Sequence, residues 1–289
     1  MYKLNLGLSA DCFSYEWLDA DKKTYKITQL HDYIDAITKE MKANGFNSME
    51  LSAGGAWNLT EEAENFPAVK KFVETIKKNG MKLNSVHLPF ALPFWEFDSL
   101  DEEQRKLSVE RAKWAISQFE KGCPKYFVIH PGKLDIADEE VRWQMMEQLA
   151  KSMQELCDAT DATICLENMS RGIMVNSIKE ARWILDRVPK LMMVIDINHP
   201  FIDTPEDLIL AVGDRVKCLH VSDRDDITER HWLPGEGILN WNKIIGALEK
   251  VGYSGEFTYE VSIRRRQTPL SEVRANFEKL FENYNNSKN

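Results

Sequence analysis

The stretch from Thr163 to Asp223 decides how this chain is read. It holds TICLEN (163–168), MMVIDINH (192–199) and VKCLHVSD (216–223), and FTYEV (257–261) follows in the same form. Each is a short apolar run closed by side chains able to bind a metal: Glu167, Asp196 with His199, His220, and Glu260. Working outward, LNSVHL (83–88) delivers His87 and YFVIHPG (126–132) delivers His130 in the same way. An isolated ligand-type residue after one strand means little. Six strands that finish on Asp, Glu or His point to one shared site, and a divalent cation is the chief reason to gather such donors.

Short apolar runs alternate with amphipathic segments along the whole chain. Strands are expected to begin near Leu4, Phe46, Lys82, Lys125, Thr163, Leu191, Val216 and Phe257. Helical spacing covers Ile27–Ala43, Glu61–Lys78, Asp101–Lys121 and Asp138–Cys157. Within the last of these, Val141, Met145, Leu149, Met153 and Leu156 recur with a helical period rather than a strand's alternation. Gly45, Gly80 and Gly252 stand where helices should end. Strand–helix units without consecutive hairpins imply right-handed βαβ crossovers. Eight such units is the number that closes a sheet into a barrel.

The expected fold is therefore α/β, a single (β/α)8 barrel domain over 1–289, with a frayed tail from about 284 (YNNSKN). The alternative, an open doubly wound sheet, lacks the Gly-rich turn after its first strand that a dinucleotide site uses. In a barrel the C-terminal strand ends converge on one mouth, so the pattern becomes a spatial prediction.

Composition narrows the function classes. A hydrophobic content of 43% and a charged content of 29% are ordinary for a globular protein. The net charge of −9 disfavours nucleic acid and anionic membrane as partners. The five cysteines (Cys12, Cys123, Cys157, Cys165 and Cys218) are widely spaced and form no CxxC pair. They argue against a disulfide framework and for a reducing, cytoplasmic setting, with Cys165 and Cys218 read as buried small hydrophobes. No secretory signal is evident, and no stretch approaches the ~20 apolar residues of a membrane span.

Glu167, Asp196, His220 and Glu260 together make a hard, mixed O/N donor set suited to Zn, Mn, Co or Mg, among which donor type does not choose. His199 is a second ligand, a substrate hydrogen-bonder or a loop histidine before Pro200. His87 and His130 are further ligands or satisfied buried histidines. Glu229 and His231 belong to ERHWLPGEG (229–237), where the PGEG turn implies a fixed loop. Trp57, Phe90, Phe94 and Trp95 could wall a pocket or pack in the core. Arg264–Arg266, the one dense basic run, holds a phosphate or forms a solvated face.

The ordered set VHLP, IHPG, LEN, DxNH, HVSD, RHWLPGEG and YE resembles the xylose-isomerase-like TIM-barrel superfamily, which holds sugar and sugar-phosphate isomerases and epimerases and endonuclease IV. The resemblance covers strands three to eight. Carried over from ketose 3-epimerases, it implies a metal set of Glu167, Asp196, His220 and Glu260, with the two glutamates as the acid–base pair and His199 against the substrate. Those epimerases carry a second glutamate six residues after the first; Ile173 stands there instead, so substrate identity is not inherited. Resemblance to endonuclease IV implies a wider, multi-zinc set of His87, His130, Glu167, Asp196, His199, His220, His231 and Glu260. Glu229 replaces an aspartate in it.

The expected activity is that of a divalent-metal-dependent isomerase or epimerase of a small sugar, ketose or sugar phosphate, working by proton abstraction beside a carbonyl. Two alternatives stay open: a multi-metal phosphoester hydrolase, and a metal-dependent dehydratase. One to three ions are compatible with the donors, and a homo-oligomer is admitted.

Overall fold

A computed structural model describes residues 1–13, 27–52, 66–90, 95–132, 136–262 and 268–288. Eight strands carry the architecture: β1 (Asn5–Ser9), β2 (Ser48–Ser52), β3 (Lys82–His87), β4 (Tyr126–Ile129), β5 (Thr163–Glu167), β6 (Met192–Asp196), β7 (Val216–His220) and β8 (Glu256–Tyr259). Neighbouring strands pair in parallel, in the order β7-β6-β5-β4-β3-β2-β1-β8. The two ends of that sheet meet at a single bridge between Val221 and Tyr259. There Val221 N donates to Thr258 O at 2.9 Å and Glu260 N donates to Val221 O at 3.0 Å. The ring of strands closes at its C-terminal end, as expected for a (β/α)8 barrel.

Between the strands run α1 (Ile27–Ala43), α2 (Phe66–Lys78), α3 (Glu102–Ser117), α4 (Glu139–Ala159), α5 (Ile178–Arg187), α6 (Pro205–Val212) and α7 (Trp241–Lys250), and α8 (Leu270–Asn286) follows β8. Their starts are chemically marked. Asp101, Asp138, Ser177, Thr204 and Asn240 each accept a first-turn N–H, and Pro205 opens α6 just after its cap. Gly45, Gly80 and Gly252 adopt φ of 78°, 72° and 71° where α1, α2 and α7 give way to strands. Helix α3 stops four residues before Lys121, and Gly122 at φ 79° leads into the next strand.

The tail departs from expectation. Helix α8 continues to Asn286, because Tyr284 is buried and Asn285 ties the end of the chain to its beginning. Tyr2 N donates to Asn285 Oδ1 at 3.0 Å, and Asn285 Nδ2 donates to Tyr2 O at 2.9 Å.

Strand alternation sorts the side chains into two layers. Phe127, Ile129, Ile164, Leu166, Met193, Ile195 and Leu219 face outward into the large core shared with the helices. Tyr126, Val128, Cys165, Val194 and Cys218 form a separate small cluster that fills the barrel interior. Stepping two residues further along each strand from Val128, Cys165, Val194 and Cys218 arrives at His130, Glu167, Asp196 and His220. The inward phase thus carries the donor residues onto a plug of small apolar side chains. All five cysteines are free thiols, and Cys165 and Cys218 are buried in that plug. No described helix is long and apolar enough to cross a membrane.

Candidate metal centre at the barrel mouth

Glu167, Asp196 and His220 end β5, β6 and β7, and Glu260 follows β8 by one residue. One ligand atom from each lies within 4.8 Å of all the others. His220 Nδ1 faces this space, 3.0 Å from Glu167 Oε1 and 3.5 Å from Glu260 Oε2. Glu167, Asp196 and His220 are essentially inaccessible to solvent, while the Glu260 side chain keeps 14% of its exposure. Asp196 Oδ2 is buried without a hydrogen-bond partner, and its other oxygen accepts from Asn198 N at 2.6 Å. A buried carboxylate oxygen with no hydrogen-bond partner, set among three other donor side chains, is an arrangement that a divalent cation satisfies. The residues present therefore fit a divalent metal held by oxygen and imidazole nitrogen.

A second group adjoins the first through Glu167. His87, His130 and Glu167 also offer ligand atoms within 4.8 Å of one another. His87 Nε2 and His130 Nε2 each stand 3.2 Å from Glu167 Oε2. Phe90 packs against both imidazoles, with ring centroids 5.3 Å from His87 and 4.6 Å from His130.

His199 lies among the carboxylates of Glu167, Asp196 and Glu229. Its Nδ1 bonds to Asn168 O at 2.8 Å, and its Nε2 is 3.4 Å from Asp196 Oδ2 and 3.6 Å from Glu229 Oε2. Glu229 and His231 join neither donor group among the described residues. His231 adopts φ 48°, which turns its ring so that Nδ1 meets Glu260 O at 3.0 Å. This contact braces the backbone of Glu260.

The protonation pattern follows from this crowding. Burial pushes Glu167 up, but the imidazoles of His220 and His130 more than offset it and hold the carboxyl well below its usual range. Burial, reinforced by Glu260 and Glu167 and only partly relieved by His199, pushes Asp196 up to about 7. Burial lowers His199, but Asp196, Glu167 and Glu229 outweigh it and bring it up to about 9. For His220 the penalty of burial is overcome by Glu50, Glu260 and Glu167, which raise it well above the ordinary value. His130 moves down, because burial outweighs its attraction to Glu167. The raised proton affinities of His199 and His220 thus follow from the buried carboxylates that surround them.

The structure adds residues that the strand-end pattern does not contain. Glu50, in the middle of β2, is 1% exposed, and its Oε1 stands 2.9 Å from His220 Nε2. Burial raises the Glu50 carboxyl, but His220 and His87 reverse the effect and keep it below its usual range. The available signal was phase: Ser48, Glu50 and Ser52 alternate with Met49 and Leu51, a polar face pointing into the barrel. Asn168, the residue after Glu167, pairs with the backbone of Asp196. Cys12, just after β1, binds the backbone on both sides of Glu260.

Of the aromatic residues expected to wall a pocket, Trp95 is 3% exposed and packs in the core. Phe90 is half-buried at the mouth. Trp57, Phe94 and Arg264–Arg266 lie outside the described residues.

The family described as the xylose isomerase-like TIM barrel matches residues 38–282. An uncharacterized protein of Methanocaldococcus jannaschii is 22% identical over 251 residues, 86% of this chain and 89% of that protein. The fructoselysine 3-epimerase of Shigella flexneri is 25% identical over 179 residues, 56% of this chain and 61% of the enzyme. Among solved structures, a D-tagatose 3-epimerase-like protein superposes with a TM-score of 0.78 at 19% identity, covering 99% of this chain and 100% of its own. With the family match spanning most of the barrel, the chain belongs to the xylose isomerase-like TIM barrel family.

Proposed function

We propose that the protein is a divalent-metal-dependent isomerase or epimerase of a small sugar, ketose or sugar phosphate. The observation that carries this reading is the quartet Glu167, Asp196, His220 and Glu260, gathered within 4.8 Å at the barrel mouth with Asp196 Oδ2 buried and open. The epimerases among the similar proteins support the substrate class.

The quartet would hold the cation, which would supply Lewis-acid stabilisation worth several kcal/mol to the negative charge that develops on substrate oxygens. Glu167 and Glu260 would be the acid–base pair. One removes the proton from the carbon next to the carbonyl, and the other returns a proton to the opposite face or to the adjacent carbon. The low proton affinity of Glu167 keeps it ionised as an acceptor. His199, anchored through Nδ1 to Asn168, would offer Nε2 to a substrate oxygen. Phe90 would supply an apolar wall beside the histidines. The deep placement of Glu167 and Asp196 excludes water, which strengthens each of these interactions.

A second reading, phosphoester hydrolysis with more than one metal, is favoured by the adjoining group His87, His130 and Glu167. Glu229 and His231 standing outside both groups weighs against the full three-metal arrangement. Metal stoichiometry and solvent-deuterium exchange decide between the readings. One equivalent of metal per chain, with deuterium incorporated at the carbon beside a ketose carbonyl and lost in Glu167→Gln, is the expected result. Two or three equivalents, with phosphate release and no exchange, would replace the proposal by hydrolysis.

A further inference from the structure

Glu50 is a buried carboxylate that the proposed chemistry leaves without a task. It lies in β2, on the inward face with Ser48 and Ser52, and its side chain is 1% exposed. A carboxylate in such a place costs several kcal/mol unless something in the fold answers its charge. One oxygen is answered: Ser85 Oγ donates to Glu50 Oε2 at 2.7 Å. The other, Oε1, has no partner other than His220 Nε2, and Nε2 has no partner other than Oε1. These two atoms face each other at 2.9 Å, within bonding distance. His220 therefore stands between two carboxylate walls, with Nδ1 toward Glu167 and Glu260 and Nε2 toward Glu50. His87 stacks along the same ring at 5.8 Å and 17°, which limits how the ring can tilt.

From this geometry we infer that Glu50 is a positioning residue for His220. Glu50 Oε1 accepts the proton of His220 Nε2, so that Nδ1 is left bare and aimed into the quartet. Ser85 in turn fixes the rotation of the Glu50 carboxylate. An imidazole has one proton to place when neutral, and an acceptor on the far nitrogen decides which nitrogen is offered to a cation. The inference rests on the metal-binding reading of the quartet, and it assigns to β2 a part in a site otherwise built from β5 to β8.

The test is Mn²⁺ affinity, measured by calorimetry on the full chain, together with thermal unfolding of each metal-free variant to establish that it is folded. Glu50→Gln and Glu50→Asp are expected to bind Mn²⁺ about ten-fold or more weakly than the parent, the usual scale for an outer partner of a histidine ligand. In a His220→Ala background, Glu50→Gln is expected to leave the remaining affinity unchanged within about two-fold, because the residue through which it acts is gone. Folded Glu50 variants that bind Mn²⁺ as the parent does would overturn the inference. So would an equal loss in both backgrounds, which would make Glu50 a distant charge and not a partner of the ring. A parent protein that binds no Mn²⁺ removes the metal reading itself and this inference with it, a result distinct from either of the others.

Discussion

Asn168 and Asp196 exchange two hydrogen bonds across neighbouring strand ends. Asp196 N donates to Asn168 Oδ1 at 2.8 Å, and Asn168 Nδ2 donates to Asp196 O at 3.0 Å. The amide side chain imitates one more rung of the β5–β6 ladder where the backbones have begun to part. Its own carbonyl takes His199 Nδ1 at 2.8 Å, so one residue holds both Asp196 and His199 in place.

Replacing that amide should therefore cost both stability and metal binding. Asn168→Ala leaves a buried N–H and a buried C=O of Asp196 without partners, at about 1–3 kcal/mol for each group left unsatisfied. Asn168→Asp keeps an acceptor for Asp196 N but presents no donor to Asp196 O, and it adds a charge beside a carboxylate. Urea unfolding should rank the parent above both variants, and Mn²⁺ titration should rank them in the same order. Unchanged stability in Asn168→Ala would mean that water replaces the amide at this site.

Metal removal gives a second expectation. The buried carboxylates around His199 and His220 raise the proton affinity of both imidazoles, which a cation in the quartet would replace as the source of positive charge. Mn²⁺ at a concentration 100-fold above its dissociation constant stabilises the fold by about 2.7 kcal/mol, which corresponds to a Tm rise of roughly 5–10 °C for a chain of this size. Calorimetric scans with and without a chelator check this. Absence of any shift, or an equal shift in a variant carrying both Glu167→Gln and Asp196→Asn, would separate the stabilisation from the quartet.

The sequence made most of the site legible because a barrel has two simple rules. Strands end at one mouth, and every second residue points inward, so Glu167, Asp196 and His220 could be placed together from the ends of three apolar runs. Glu50 escaped that reading because it stands in mid-strand, and its partner His220 lies on the far side of the barrel, 170 positions later in the chain. The pairing of β2 with β3 also shifts register between Met49 and Glu50, a local irregularity that no periodicity announces. Glu229 and His231 are less legible: among the described residues they join neither group of donor atoms. Their spacing resembles a ligand pair, and in the structure His231 has a left-handed backbone and its Nδ1 meets the Glu260 carbonyl. Loop conformation decided that outcome, and it depends on contacts from distant strands.

Acidity of a single buried group predicts how stability changes with pH. Asp98 is 4% exposed, and an oxygen of its carboxyl lies so close to Gly132 that a Cβ there would come within 2.2 Å. Burial, with a small contribution from Glu96, pushes this carboxyl up to about 7. The folded state therefore holds the proton more tightly than the unfolded chain, whose carboxyl titrates near 4. The sign follows: stability from this group is fully present below pH ~4, declines as pH rises toward about 7, and is level above that. Asp98→Asn removes the dependence. The variant should match the parent at pH 4 and exceed it at pH 8, with an upper bound of about 4 kcal/mol set by the shift. Denaturant unfolding at the two pH values reads this directly, and parallel pH profiles for the two proteins would contradict it.

Cys12 carries the last prediction. Val261 N donates to its sulfur at 3.3 Å, and its thiol donates to Tyr259 O at 3.4 Å, so one side chain from the end of β1 grips the backbone on either side of Glu260. Glu260 N and Glu260 O are held as well, by Val221 O and by the His231 ring. Four contacts thus fix a glutamate whose side chain alone of the quartet keeps appreciable exposure. Cys12→Val fills a similar volume but leaves the Val261 N–H without its acceptor, a cost of about 1–3 kcal/mol in a buried setting. Cys12→Ser retains both bonding roles on a shorter arm and should lose less. If Glu260 belongs to the metal set as proposed, Mn²⁺ affinity should fall in the order parent, Ser, Val. Alkylation of the thiol in the intact protein should be slow, since the residue is 5% exposed. A valine variant with parental Mn²⁺ affinity and reduced stability would confine Cys12 to the fold; a loss in both would place it among the supports of the site.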